Sequence, residues 1–167
     1  MLRHPMGGSC LTRTEAFIRA VYRMADADVL DVEGWRSAFT EDGVFTVAGR
    51  DDETFRGEEL SKAITFNATV LPDLHRELLR VIVMDGVVAV ETITYGTHLG
   101  PFPTPAGPIA PTGAKISVPS ADFIYLRDGK IETFKTYLLQ NVWFAQLGIR
   151  PDFAAVIGQS SDAADIV

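Results

Sequence analysis

The sequence predicts an α+β fold, with helices packed on one face of a strongly curved antiparallel or mixed sheet. Three observations predict it. Helical periodicity is confined to the chain before Pro72, apart from a short stretch at the C-terminus. Two long alternating runs follow, each folded back by a two-residue Asp-Gly turn, at Asp85-Gly86 and Asp128-Gly129. The 167 residues, 47% hydrophobic and 22% charged, suit one core, burying roughly 70% of the surface of the extended chain. No repeat or composition shift marks a second domain. Residues 1–11 are expected to be a loose tail, 12–150 the domain and 151–167 a surface tail.

In chain order, Thr12 offers an N-cap with Glu15 at capping-box spacing, and Phe17, Ala20, Val21 and Met24 share one helical stripe. Asp31 caps a short second helix in which Val32, Trp35 and Phe39 share a side and which Asp42-Gly43 closes. Val44 to Val47 reads as a strand, and residues 48–55 as a polar loop. Leu60, Ile64 and Ala68 mark a third helix, ended by Pro72. Strands run from Leu74 to Met84, Val87 to His98 and on either side of Asp128-Gly129, and Asn141 to Gly148 reads as a short helix stopped by glycine. Between strands, residues 100–113 hold five prolines and three glycines, a composition suited to a functional rim or lid.

Net charge is −7 and the pI about 4.9, so no basic footprint favours nucleic acid or an anionic membrane. No run approaches the ~18 apolar residues of a membrane span. The single cysteine, Cys10, has no partner for an internal disulfide. These features predict a soluble cytoplasmic protein.

Both hairpins carry an expected register. Counting out from Asp128-Gly129, Leu126 faces Ile131, Ile124 faces Thr133, Asp122 faces Lys135, Ser120 faces Tyr137 and Val118 faces Leu139, all on one side. The other side carries Tyr125, Phe123, Ala121, Phe134 and Leu138. Around Asp85-Gly86, Arg80 pairs with Glu91, while Leu79/Thr92, Glu77/Thr94 and His75 share the opposite side with His98 at its end. Three helices leave a gap over a bent sheet, which makes a mostly apolar pocket for a hydrophobic small molecule. The apolar outer face predicts a homodimer built on it.

Asp122 opposite Lys135 is either an ordinary cross-strand ion pair or, if buried, a general acid–base with its charge partner. Burial discriminates. Tyr137 is a phenol donor or a core filler, and His98 a proton carrier or an anchor for the proline-rich loop. His75 at the mouth, Phe17, Trp35 and Phe39 on the helical elements, Phe102 in the loop and Leu139 are candidate pocket-lining residues. Two histidines without a clustered third ligand make a poor metal site, and His4 lies in the tail, so no metal is predicted. No glycine-rich phosphate loop or nucleophile elbow points to a cofactor.

Leu71-Pro72-Asp73-Leu74-His75, Gly96-Thr97-His98-Leu99-Gly100-Pro101, Ala121-Asp122-Phe123, Asp128-Gly129-Lys130-Ile131 and Gln146-Leu147-Gly148 together resemble the SnoaL-like polyketide cyclase group of the nuclear transport factor 2-like fold. The resemblance spans roughly residues 14 to 150. It implies a dimeric cone with a deep apolar pocket and cofactor-free acid–base chemistry on a polycyclic or polyketide substrate; related cones include epoxide hydrolases, isomerases and non-catalytic members. In that group an aspartate commonly stands seven residues before Gln-Leu-Gly, and here that position is Leu139. If it faces the pocket, strand parity brings Tyr137, Lys135 and Asp122 there. Two functions follow: a cofactor-independent cyclase, isomerase or epoxide-opening catalyst using Asp122, Lys135, Tyr137 and His98, or a binding module that has lost its chemistry at Leu139.

Overall fold

The computed structural model describes residues 7–49, 54–104 and 107–149. His4, Pro105, the 151–167 segment and the middle of the 48–55 loop lie outside them. Helix α1 (Gly7–Met24), helix α2 (Val32–Ser37), strand β1 (Phe39–Val47), strand β2 (Thr54–Arg56), helix α3 (Leu60–Val70), strands β3 (His75–Met84), β4 (Val87–Thr97), β5 (Lys115–Arg127) and β6 (Lys130–Leu138), and helix α4 (Gln140–Gln146) follow in order. The six strands form one sheet, β2-β1-β6-β5-β4-β3. β1 runs parallel to β6, and the other neighbours are antiparallel, so the sheet is mixed.

Several boundaries differ from the sequence reading. Helix α1 begins at Gly7, so Thr12 is interior rather than a cap. Its buried face is Ile18, Val21 and Tyr22, continued by Ala25 in the turn after it, with Phe17 and Met24 at the flank and Ala20 exposed. Asp31 does cap α2, its carboxylate accepting from Gly34 N at 2.9 Å. Phe39, however, opens β1 instead of closing α2. Asp42-Gly43 lies inside β1, where the pairing jumps from Phe39↔Ile131 to Val44↔Thr133. A Cβ on Gly43 would sit 2.8 Å from the Ile131 carbonyl oxygen, so glycine is required by the close approach of the two backbones.

Asp128 and Gly129 both take positive φ (53° and 76°), as a type I′ turn demands. Arg127↔Lys130 and Leu126↔Ile131 pair as expected, but then Tyr125 pairs with Thr133, Ile124 with Phe134, Phe123 with Lys135 and Asp122 with Thr136. Glu132 is the extra residue. A bulge inserts one residue into one strand and turns every later side chain to the opposite face. Phe134, Thr136 and Leu138 therefore replace Thr133, Lys135 and Tyr137 on the helix side. The first hairpin behaves alike: Arg80 pairs with Glu91 but Leu78 with Thr92, leaving Leu79 as the bulged residue. Beyond it Arg76 pairs with Thr94 and His75 with Tyr95, so Arg76 turns inward and His75 outward.

The motifs that carried the resemblance lock this framework. Asp73 accepts from Thr97 N (2.6 Å) and Thr97 Oγ1 (2.7 Å), tying the start of β3 to the end of β4. Gly100 N donates to Val70 O at 3.1 Å. A Cβ there would lie 1.9 Å from Thr69 O. Gln146 clips α4 onto β5, accepting from Ser117 N and donating to Ser117 O, both at 2.9 Å. Two apolar clusters result: one joins α1, α2 and α3 to the sheet through Trp35, Phe39 and Phe134, and the other gathers Leu71, Phe102, Ile116 and Trp143. Among the described residues, no helix is long and apolar enough to cross a membrane.

Candidate active site

Between helices and sheet lies a cavity of about 380 Å³. Its apolar wall comes from Trp35, Phe45, Phe55, Phe66, Phe102, Ile116, Phe134 and Trp143. The polar lining is sparse and concentrated: Tyr22 from α1, Arg76 from β3, Thr94 from β4, Ser120 and Asp122 from β5, and Thr136 from β6. Asn67, Lys62 and Gln140 complete it.

Asp122 is its centre. The residue is 3% exposed and takes a hydrogen bond from Tyr22 Oη to Oδ2 at 2.6 Å. Its Oδ1 is buried and makes no hydrogen bond to the described residues. Burial pushes the Asp122 carboxyl above its ordinary range; Thr136, Tyr22, Arg76 and Ser120 pull it back without cancelling the effect. Burial, and then the neighbouring Asp122 charge, also hold the Tyr22 phenol well above its usual value, so it remains a donor.

Behind this pair is a second layer of charge. Arg76 Nη1 donates to Ala25 O (2.9 Å) and Asp26 Oδ1 (3.3 Å), with its side chain 12% exposed. Arg23 Nη1 reaches Asp26 Oδ2 at 3.3 Å while both its Nη atoms grip Asp28 at 2.5 and 2.6 Å. Burial lowers the Arg76 guanidinium from its ordinary value and raises the Asp26 carboxyl. Charges partly desolvated in an apolar-walled cleft are a usual setting of proton-transfer chemistry.

The structure brings together only part of the expected set. Asp122 faces the cavity as predicted, with Trp35 and Phe102 on its wall. Lys135 and Tyr137 stand on the opposite face of the sheet, because of the Glu132 bulge; Tyr137 is 46% exposed, with the Lys135 Nζ 5.5 Å from its ring centroid. The Asp122–Lys135 pair therefore does not form. Leu139 lies past the end of β6, at the N-cap of α4, and is 47% exposed. His75 is exposed and stacks on Tyr95 at 5.4 Å, away from the cavity. Phe17 and Phe39 pack in the core rather than on the cavity wall. His98 is fully buried, its Nδ1 accepting from Thr112 N at 3.2 Å and lying 2.9 Å from Thr112 Oγ1, which makes it the anchor of the proline-rich loop. Among the described residues, no group of three potential ligand side chains could hold a metal ion.

Sequence reasoning missed Tyr22, Arg76 and Asp26. Tyr22 follows Val21 on the apolar side of α1, a readable signal, whereas Asp26 lies in the turn after the helix ends at Met24 and had none. Arg76 had none, because the Leu79 bulge that turns it inward has no mark in the sequence.

A model of the SnoaL-like domain matches residues 14–134. No curated protein matches. Among solved structures, AclR of Streptomyces galilaeus, a candidate hydroxylase, superposes with a TM-score of 0.69 at 18% identity, covering 84% of this chain and 99% of its own. IdmH of Streptomyces antibioticus, a candidate polyketide cyclase, gives 0.65 at 22% identity, with 81% and 99% covered. An LEH-like epoxide hydrolase of M. tuberculosis gives 0.60 at 14% identity, with 82% and 90% covered. These likenesses establish a shared fold, and the family model, spanning most of the chain with the cavity's Tyr22, Arg76 and Asp122 inside it, fixes the membership: this chain belongs to the SnoaL-like family.

Proposed function

We propose that this protein is an acid–base catalyst, of the cyclase, isomerase or epoxide-opening type, acting on a bulky, largely apolar metabolite through Asp122. The observation that carries the reading is the buried Asp122 carboxyl, held by Tyr22 on one oxygen and unpartnered on the other, in the wall of an otherwise apolar cavity. Tyr22 fixes Oδ2, which leaves Oδ1 as the atom that exchanges a proton with substrate. Burial favours the protonated carboxyl, suited to donate to a carbonyl or epoxide oxygen; in the ionised form the same oxygen accepts a proton from an acidic carbon. Arg76, in the same wall, stabilises negative charge that develops on substrate, an effect strengthened by the low local dielectric.

Asp122→Asn tests this. Against a panel of cyclic enones, polyketide-like diketones and epoxides, turnover should fall by roughly 10²–10⁴-fold while substrate affinity changes little. Equal loss of both, or no turnover by the wild type on any of these compounds, favours the alternative, a small-molecule-binding module of the same fold.

The assembly we propose is a homodimer through the outer sheet face. Phe123, Tyr125 and Tyr137 are 40%, 42% and 46% exposed there, and Phe123 meets Tyr137 edge-on at 5.8 Å. Phe134 and Leu138, expected on this face, point inward instead, while Lys135 and Tyr137 take their places. Light scattering on Tyr125→Glu should show the dimer dissociating; a monomeric wild type refutes it.

A further inference from the structure

Arg76 is the more enclosed of the two cations lining the cavity, and its guanidinium is only partly used. Nη1 makes both of its hydrogen bonds, to Ala25 O and Asp26 Oδ1. Nε and Nη2 make none to the described residues, although Arg76 lines the cavity. Charge balance around it is complete without Asp122: Arg76 and Arg23 share Asp26, and Asp28 takes up the rest of Arg23. Lys62, the other cation of the lining, is largely exposed and paired with Glu59 at 2.8 Å. The cavity therefore presents two unused functions: N–H groups on a guanidinium whose side chain is 12% exposed, and the buried, unpartnered Oδ1 of Asp122. A guanidinium edge is matched by two oxygens of an anion, and it binds a neutral carbonyl much less well.

We propose that the ligand of this cavity is a ring-bearing apolar molecule carrying one acidic oxygen group, a carboxylate or an ionisable enol or phenol, which docks on Nε and Nη2 of Arg76 and places its adjoining atom against Asp122. The proposal rests on the reading that the cavity binds a small molecule, and it adds the charge of that molecule. It also sets a proton count. The charged and titratable groups facing Asp122 are Tyr22 from α1 and Arg76 from β3, with Asp26 behind; β4 and β6 present only Thr94 and Thr136. An anion on Arg76 makes the ionised form of Asp122 less favourable, so binding takes up a proton and tightens as pH falls, so long as the ligand stays ionised.

The test uses 2-naphthoate and its neutral isostere 2-naphthamide, followed by quenching of Trp35 and Trp143, which both line the cavity. Wild-type protein should bind naphthoate about tenfold or more tighter than naphthamide. In Arg76→Gln the two affinities should converge, whereas Lys62→Gln should keep the preference. Naphthamide binding as tightly as naphthoate to wild type overturns the proposal and leaves the small-molecule reading standing. No binding of either at about 1 mM overturns both. A preference that survives in folded Arg76→Gln, or disappears in Lys62→Gln, removes Arg76 from the role. Where Arg76→Gln fails to fold, the wild-type comparison and Lys62→Gln together decide the matter.

Discussion

Replacing Tyr22 by phenylalanine removes one hydroxyl and leaves the ring packed against Phe134, 5.7 Å away between centroids. What is lost is the 2.6 Å bond to Asp122 Oδ2. Since Oδ1 already lacks a partner among the described residues, the carboxylate would keep only the weaker support of Thr136, Ser120 and Arg76. A bond to an ionised group contributes about 1.5–3 kcal/mol, and a neutral one nearer 1. The cost should therefore depend on pH. Tyr22 donates to the ionised carboxyl and so favours it; without the donor the Asp122 pKa rises further. Where Asp122 is protonated in both folded and unfolded chains the cost is about 1 kcal/mol, and it grows towards the upper figure as pH rises through the folded-state pKa. Urea denaturation at a series of pH values measures it, with Asp122→Asn and the double variant closing a mutant cycle. A coupling energy under about 0.5 kcal/mol, or a Tyr22→Phe cost that is flat with pH, would refute the assignment of Tyr22 as the holder of Asp122.

Further outcomes follow from the same geometry. Asp122→Asn should stabilise the fold at neutral pH, because an acid whose folded pKa is raised stabilises only below its unfolded value and loses that contribution as pH rises through the folded one. A gain of about 1 kcal/mol corresponds to a Tm increase of about 2–4 °C, shrinking in acid, and thermal scans at two pH values check it. Gly100→Ala places a methyl 1.9 Å from Thr69 O and forces the proline-rich loop off α3, which should cost about 2 kcal/mol or more in urea titrations. Lys135→Ala and Tyr137→Phe should leave turnover within about twofold, since both side chains lie on the far side of the sheet; a tenfold loss in steady-state kinetics contradicts their placement.

The turns and caps were legible because their chemistry is local. Asp31 names its helix by supplying an acceptor to Gly34 N, and Asp128-Gly129 names its hairpin because few other residues accept positive φ in succession. Asp122 was found as an inward carboxylate because it lies on β5, whose burial alternates without interruption from Lys115 to Tyr125. Its expected partners on β6 were lost to a single inserted residue. Glu132 resembles any strand residue, and what accompanies its bulge is tertiary: Arg127 meets both Glu132, at 3.0 Å, and Asp42 of β1, beside the point where β1 breaks its own register. Leu79 is just as unmarked. Parity counting is sound up to a bulge and inverted after it, and here both inversions fall between the turn and the site.

The parallel pairing of β1 with β6 has a consequence for biogenesis. Phe45 and Val47 dock beside Phe134 and Thr136, close to ninety residues later, so β1 waits on the ribosome with one edge bare until β6 has emerged. Contacts this distant in sequence carry a large loop-closure penalty and slow folding. Until the last strand arrives, nascent chains expose the aromatic floor of the future cavity, which makes chaperone dependence during synthesis, rather than instability of the finished protein, the expected source of poor yields.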